Sequence, residues 1–291
     1  MQAWSSSVAA RADARSHRPP AVAGVFYPDE AGCLRREVRR YLAQAPCVAG
    51  PPPKALVVPH AGLVYSGPTA ACAYARLAAC AARIERVVLL GPAHRVALRG
   101  LAVPAVAAFD TPLGAVDLDR AAIERIAALP QVVASDRAHA PEHSLEVQLP
   151  FLQELLGRFA LVPLAVGETS AEQVADVLDR LWGGCETLIV ASSDLSHGLP
   201  YAAARAADRA SVEAMLALRA TLEPLQACGA APVNGLLLAA RRRGLRAELL
   251  DLRNSGDTAG DRARVVGYAA LALSEPPAVE SAGSGAPPPV Q

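Results

Sequence analysis

Short apolar runs alternate with stretches of helical periodicity along most of the chain. Ala55–Val58 is such a run, and it ends at Pro59, which has no N–H to donate to a neighbouring strand. The runs at Arg86–Leu90 and Thr187–Ala191 end in the same way, giving way to Gly, Pro or Ser. Strands that alternate with helices in this manner predict an α/β fold with a sheet between helical layers.

The pattern predicts the remaining elements with approximate bounds. Helices are expected from Asp29 or Glu30 onward and at residues 69–83, 119–129, 144–158, 170–182, 201–219, 222–227 and 233–243, and further strands at 160–166, 246–252 and 264–273. We therefore predict one α/β domain over residues 18–274 with a central mixed β-sheet flanked by helices. Residues 1–17 and 275–291 are rich in Ser, Ala, Arg, Pro and Gly, which predicts disordered tails.

Composition excludes several classes of function. The 291 residues are 52% apolar, and 28 basic side chains balance 28 acidic ones. A formal net charge of zero gives no electrostatic reason to expect nucleic acid or an anionic membrane as partner. No apolar run approaches the length of about 20 residues that spans a bilayer. The six cysteines form no C-x-x-C pair, which favours a reduced, cytoplasmic setting, and Cys33, Cys72, Cys80 and Cys185 are assigned to packing.

Potential metal ligands follow three of the predicted strands. His60 follows the first, His94 the second, and Asp194 with His197 the fourth. In an open α/β sheet, ligands bind beyond the carboxyl ends of the strands, so these side chains are expected to meet at one edge. A single histidine after a strand is more often a hydrogen-bonded loop residue, but three such ends favour a site. Imidazole suits iron, copper, zinc and nickel, and Asp194 is expected either to complete a two-histidine, one-carboxylate iron site or to orient a histidine ring.

Two further groups are open to more than one interpretation. Glu142, His143 and Glu146 lie at the start of a predicted helix, where Glu142 can favour the helix dipole and His143 can donate or accept a proton beside a substrate. Cys228 precedes Gly229 and a predicted helix, so its thiol is either a ligand or nucleophile or a small buried side chain. The pattern by itself favours the buried side chain.

A serine hydrolase is the main alternative that the residues suggest. Ser192, Ser193, Asp194 and His197 are nearly contiguous, but the chain has no G-x-S-x-G elbow and such proximity along the chain does not make a triad. There is also no P-loop or Gly-rich dinucleotide fingerprint.

An ordered set of short motifs resembles the MEMO1 family, whose prokaryotic members are called AmmeMemoRadiSam system protein B. The motifs are Arg18, Ala23–Pro28, Pro59–Gly62, Tyr65–Gly67, Gly91–His94, Glu142–Glu146, Ser192–His197, Cys228–Gly229 and Asn254–Asp257. They occur in the family's order over residues 18–273. Leu63 departs from the pattern, because many relatives carry an aromatic residue there.

The resemblance implies more than the residues alone do. It implies a fold similar to class III extradiol dioxygenases, and a metal site formed by His60, His94 and Cys228, with Asp194 and His197 lining the same pocket. It implies non-haem Fe(II), while a thiolate ligand in place of the dioxygenase carboxylate also accommodates copper. It implies an AMMECR1-type protein and a radical SAM protein as partners. The prediction is a metal-dependent redox protein, whose enzymatic version is a dioxygenase-like oxidoreductase, with a metal carrier or accessory protein as the alternative.

Overall fold

The computed structural model describes residues 16–46 and 49–276. The helices are α1 Ala31–Gln44, α2 Leu63–Ala75, α3 Arg120–Ile126, α4 Asp136–His139, α5 Leu149–Leu156, α6 Ala171–Leu181, α7 Tyr201–Leu216 and α8 Ala230–Arg242. The strands are β1 His17–Arg18, β2 Ala55–Val58, β3 Arg86–Pro92, β4 Leu101–Val103, β5 Ala108–Thr111, β6 Gly114–Asp117, β7 Val132–Ala134, β8 Ala160–Val166, β9 Thr187–Ser192, β10 His197–Leu199, β11 Arg246–Asn254 and β12 Val265–Ser274. His17 lies one residue before the predicted start of the domain. Almost all of both predicted tails lies outside the described residues, so the domain boundaries stay predictions.

Nine of these strands form one mixed sheet, which confirms the predicted fold class. Their order is β10-β12-β2-β9-β3-β8-β4-β7, and β11 pairs with β12. The four neighbours β2, β9, β3 and β8 run parallel, whereas β12 is antiparallel to β2 and β4 is antiparallel to β8. The central strands are buried over nearly their whole length, as expected for a sheet covered by helices on its faces.

The register of three parallel strands brings the candidate ligands to one edge. Val58 at the end of β2 pairs with Ser192 at the end of β9, and Leu90 in β3 pairs with Ala191. Because β9 lies between β2 and β3, the loops after all three strands leave the sheet side by side. The carboxyl edge of the sheet therefore carries His60, His94 and the segment after Ser192, as the strand pattern predicts.

Two helices that contain proline have different bounds from those predicted. The helix predicted at 69–83 begins earlier, at Leu63, and Pro68 lies within it. The helix predicted at 144–158 becomes a 3-10 turn at Glu146–Gln148 followed by α5. A helix running through 144–158 would be kinked at Pro150, but Pro150 lies in the first turn of α5, where its missing N–H would have no partner in any case.

Two other sequence-based predictions are wrong. Residues 222–227 form turns and no helix, and Leu225 is 91% exposed there. The packing role predicted for four cysteines holds for Cys72 and Cys80, which are buried, but Cys33 and Cys185 are exposed. Among the described residues, none of the helices combines the length and apolar character needed to cross a bilayer.

Candidate metal site

Three histidines meet at the carboxyl edge of the sheet. One potential ligand atom on each of His60, His94 and His143 lies within 4.8 Å of the other two. The ring centroids are 5.2 Å apart for His60 and His94, 5.5 Å for His60 and His143, and 4.8 Å for His94 and His143. His60 is buried, His143 half-buried and His94 exposed, so the group opens to solvent on one side. Three imidazoles at this spacing could hold a metal ion.

Residues at the end of β9 and directly after it hold His60 in place. Its Nδ1 lies 2.8 Å from Ser192 Oγ, and its backbone N–H donates to Asp194 Oδ1 at 2.7 Å. Burial lowers the pKa of His60 well below its usual value, so the ring is neutral at neutral pH. A neutral ring anchored through Nδ1 leaves Nε2 as the nitrogen that can face a metal.

Glu142 organises His94 and His143 together. Its carboxylate accepts the backbone N–H of His94 at 2.6 Å, and those of His143 and Ser144 at 2.9 Å each. Burial alone would raise the pKa of Glu142, but these hydrogen bonds and the His94 ring lower it to about 2. An ionised carboxylate only accepts, so His94 Nδ1, 3.0 Å from Glu142 Oε1, carries a hydrogen and leaves Nε2 free. The predicted dipole role of Glu142 is therefore replaced by direct contact with the candidate ligands.

His143 is less constrained than the other two rings. Its Nδ1 is buried without a hydrogen-bond partner, although it lies 3.3 Å from Glu142 Oε1. The ring stacks on His94 and packs edge-on against Phe26, with ring centroids 4.8 Å apart. Burial lowers the pKa of His143 to about 4, so it is a neutral base at neutral pH.

Cys228 reaches the same place from the segment before α8. Its Sγ lies 3.2 Å from His60 Nε2. A Cβ on Gly229 would lie 2.6 Å from Ser192 O, so a glycine is what lets this segment pass so close to the end of β9. Burial, followed by the charge of Asp194, raises the pKa of the Cys228 thiol to about 12. Without a metal the thiol is therefore protonated, and it can donate to His60 Nε2.

The distances around His60 suit a metal. With usual zinc distances of about 2.0–2.1 Å to nitrogen and 2.3 Å to sulfur, a tetrahedral ion separates these two ligand atoms by about 3.6 Å. The observed separation of His60 Nε2 and Cys228 Sγ is 3.2 Å, so an ion that replaces the thiol proton would need only a small outward movement. The donor set of imidazoles and a thiol therefore fits a borderline or soft transition metal.

Asp194 and His197 border this group without joining it. Asp194 is buried, and it contacts the backbone of His60, not its ring. Burial is the main cause that raises the pKa of Asp194 to about 6. His197 is exposed, and its Nδ1 lies 2.9 Å from Leu195 O. The arrangement does not form a hydrolase triad, because the hydroxyl of Ser192 is buried and that of Ser193 donates to Asp194 O.

The comparison with known families decides the membership of this chain. The sequence model of the family described as "Memo-like protein" matches residues 18–272. The chain belongs to the Memo-like family. This confirms the resemblance that the ordered motifs carry.

Full-length relatives support the same assignment of the Memo-like chain. A "MEMO1 family protein" from Aquifex aeolicus is 38% identical over 268 residues, which cover 86% of this chain and 97% of that protein. Another from Ignicoccus hospitalis is 38% identical over 289 residues, covering 89% and 99%. The crystal structure of uncharacterized protein JW3007 from Escherichia coli K12 has a TM-score of 0.49 and 16% identity, covering 76% of this chain and 99% of that one.

A buried ion pair anchors the segment that packs against His143. Arg18 and Glu146 are both buried, with Nη1 and Oε2 2.7 Å apart. Glu146 also accepts from the backbone N–H groups of Ala21 and Val22 and from the Tyr27 hydroxyl. The segment that these bonds anchor carries Phe26 onto His143. Glu146, for which the sequence left several roles open, therefore supports the site from outside it.

Sequence reasoning missed the supporting roles of Gln148 and of the Ser144 hydroxyl next to the histidines. Gln148 is buried and donates to both Pro59 O and Ser192 Oγ. Ser144 Oγ donates to Pro92 O at 2.9 Å, which ties the Glu142–Glu146 motif to the end of β3. A glutamine amid Val147, Leu149 and Pro150 is the one signal that pointed to such a role, since polar side chains in apolar runs need partners.

Proposed function

We propose that this Memo-like protein is a metal-dependent redox protein that binds Fe(II), with copper as the alternative, through His60, His94 and Cys228. The observation that carries the proposal is the 3.2 Å approach of Cys228 Sγ to His60 Nε2 beside the His94 ring. Buried thiols and imidazoles without charge partners are common in cores, but here three imidazoles cluster and the thiol contacts the most buried of them. Iron or copper at this point would supply one-electron redox chemistry and a coordination position for a small ligand.

The residues around the candidate metal position support a catalytic role for the protein. A cavity of about 800 Å³ is lined by His94 and Cys228, by apolar side chains from the loop after β3 and the start of α8, and by the charged residues Arg99 and Glu168. This volume is in the range of small-molecule pockets. His143 is neutral and can accept a proton from a ligand in its reach. His197 Nδ1 faces a carbonyl that can only accept, so its hydrogen is on Nδ1 and its Nε2 carries the lone pair.

A carrier or accessory role is the second candidate, and one observation favours it. His143 lies close enough to His60 and His94 to serve as a fourth ligand beside Cys228. Four protein ligands would close the coordination sphere, which is typical of sites that hold or carry metal without catalysis. In this version the protein would serve a modification system with an AMMECR1-type protein and a radical SAM protein, the partners that the family resemblance implies. Oxygen uptake with catechols separates the versions, since uptake requires an open position and a carrier would show none.

Metal content tests the proposal directly. Protein purified without oxygen is expected to retain iron or copper, and His60→Ala, His94→Ala and Cys228→Ala are each expected to lose most of it, because each removes a ligand. Elemental analysis by mass spectrometry gives the measurement. His17→Ala is the matched control, since His17 is exposed and pairs with Asp110 on a separate three-stranded sheet formed by β1, β5 and β6. A wild type free of both metals, or metal content unchanged in all three variants, would contradict the proposal.

Proton release tests whether Cys228 is a ligand. The thiol is protonated in the metal-free protein because its pKa is raised to about 12, so ligation must release one proton at pH 8. Titration calorimetry in buffers of different ionisation enthalpy counts this proton. Cys228→Ala should abolish the release even if His143 lets some metal bind. Wild-type binding with no proton released would assign the metal to the three histidines alone.

A further inference from the structure

We propose that Ser192 is a positioning residue that holds His60 in the tautomer with its hydrogen on Nδ1, so that the Nε2 lone pair faces Cys228 and the metal position. The proposed consequence for metal binding rests on the proposed function. The tautomer itself can be measured in metal-free protein, so the two ideas can fail separately.

The argument begins at Gln148, whose side-chain amide has only one satisfactory orientation. One end of the amide lies 2.9 Å from Pro59 O, which can only accept a hydrogen bond. The other end lies 2.9 Å from the Tyr74 hydroxyl. The nitrogen must therefore face Pro59, and its second hydrogen points to Ser192 Oγ at 2.8 Å. Ser192 is thereby obliged to accept from Gln148.

The single hydrogen of the Ser192 hydroxyl then has two possible acceptors. Ser144 O lies 2.7 Å from Ser192 Oγ, and His60 Nδ1 lies 2.8 Å from it. Ser144 O is a carbonyl and needs a donor, whereas His60 Nδ1 can itself be the donor. If the hydrogen went to His60, two oxygen atoms would face each other at 2.7 Å with no hydrogen between them. The hydroxyl therefore donates to Ser144 O and accepts from His60 Nδ1.

Burial prevents the His60 ring from adopting the other tautomer at low cost. His60, Ser144, Gln148 and Ser192 are all buried, so an unpaired group among them has no ready access to solvent. Two backbone carbonyls, Pro59 O and Ser144 O, thus determine through Gln148 and Ser192 which nitrogen of His60 carries hydrogen. Nε2 is left with its lone pair toward Cys228 Sγ, which is the form that a metal ligand needs.

Nitrogen NMR of metal-free protein with 15N-labelled histidine gives the primary test. The resonance lost in His60→Ala identifies the ring. We expect the chemical shift of a protonated nitrogen at Nδ1 and that of an unprotonated nitrogen at Nε2. The reverse pattern in the wild type would overturn the proposal without any further variant.

Ser192→Ala removes the acceptor from Nδ1 and leaves the ring free to move its hydrogen to Nε2. We expect the NMR pattern to reverse and iron affinity, measured by competition with a chelator, to fall by about 10–100-fold. Ser192→Thr keeps the hydroxyl and should restore both. Ser66→Ala is the matched control, because Ser66 is a buried serine that donates to Ala61 O without touching a histidine ring.

Gln148→Met separates positioning from simple packing. It leaves Pro59 O and the Tyr74 hydroxyl without partners, so thermal stability should fall more than in Ser192→Ala. Ser144 O still requires the Ser192 hydrogen, so the His60 tautomer should be unchanged and iron affinity should fall less. Equal affinity losses in Gln148→Met and Ser192→Ala, with the wild-type tautomer in both, would show that only packing matters and would overturn the proposal.

Discussion

Glu146→Gln is expected to lower the free energy of unfolding by about 3–5 kcal/mol, the typical cost of leaving a buried charge without its partner. Both oxygens of Glu146 receive only donors, from Arg18, Tyr27 and the backbone at Ala21 and Val22. A glutamine would have to turn its NH2 group toward one set of these donors. Arg18 would keep its bonds to His139 O and Glu142 O but would lose its carboxylate partner. Urea denaturation measures the change.

Glu154→Gln provides the matched comparison for this substitution. Glu154 pairs with Arg35 and Arg39, whose side chains are 45% and 64% exposed. Exposed pairs contribute at most about 1 kcal/mol, so this variant should unfold close to the wild type. If the two substitutions cost the same, the Arg18–Glu146 pair would not be the support that its burial indicates. Arg18→Met combined with Glu146→Gln should cost less than the sum of the single changes, because neither charge is then left alone.

The consequence of this ion pair for the site runs through the Ala21–Tyr27 segment. Tyr27 and the backbone at Val22 are bound to Glu146, and Phe26 between them packs on His143. Phe26 O also accepts the N–H of Leu63 at the start of α2, beside the loop that carries His60. Loosening the Ala21–Tyr27 segment would therefore expose His143 and break the hydrogen bond between Phe26 O and the start of α2. This connects a charge pair behind the site with the packing that covers His143.

The convergence of His60, His94 and the Asp194–His197 loop was predictable because it depends on strand order and direction. Apolar runs that end at Pro59, Gly91 and Ser192 indicate strand ends, and parallel neighbours bring their ends together. Helix boundaries were less predictable, since Pro68 lies inside α2 and Pro150 lies in the first turn of α5. A proline marks a helix start in one case and is tolerated within a helix in the other, and the local pattern does not distinguish them.

The contacts of Cys228 and Gln148 could not be predicted from spacing. Cys228 is 168 residues from His60, and only the packing of α8 against the end of β9 brings them together. The family resemblance supplied Cys228 as a ligand, and its role stays a prediction that proton release will test. Asp194 illustrates a different limit. Its place at the strand end was predictable, but its contact with the His60 backbone and not with a ring depends on side-chain geometry.

Glu142→Gln is expected to reduce metal affinity by about 10–100-fold, because Glu142 orients His94 through both its backbone and its ring. One carboxylate oxygen accepts the His94 backbone N–H, and the other accepts from the His94 ring and from the backbone at His143 and Ser144. Glutamine can keep its carbonyl oxygen toward the second set only by turning its NH2 group against the His94 backbone N–H. The loop after β3 would then shift and carry His94 away from His60.

Glu186→Gln is the control. It shows whether metal affinity falls because His94 loses its carboxylate partner or because any loop carboxylate is removed. Glu186 accepts the Gly184 N–H and the Thr187 hydroxyl, and hydrogen bonds lower its pKa to about 2, as in Glu142. It directly precedes β9, at the opposite edge of the sheet from His94. Chelator competition should give wild-type metal affinity for Glu186→Gln and a clear loss for Glu142→Gln. Unchanged metal affinity in Glu142→Gln would mean that His94 either needs no anchoring or does not bind the metal. The metal content of His94→Ala decides between these two explanations.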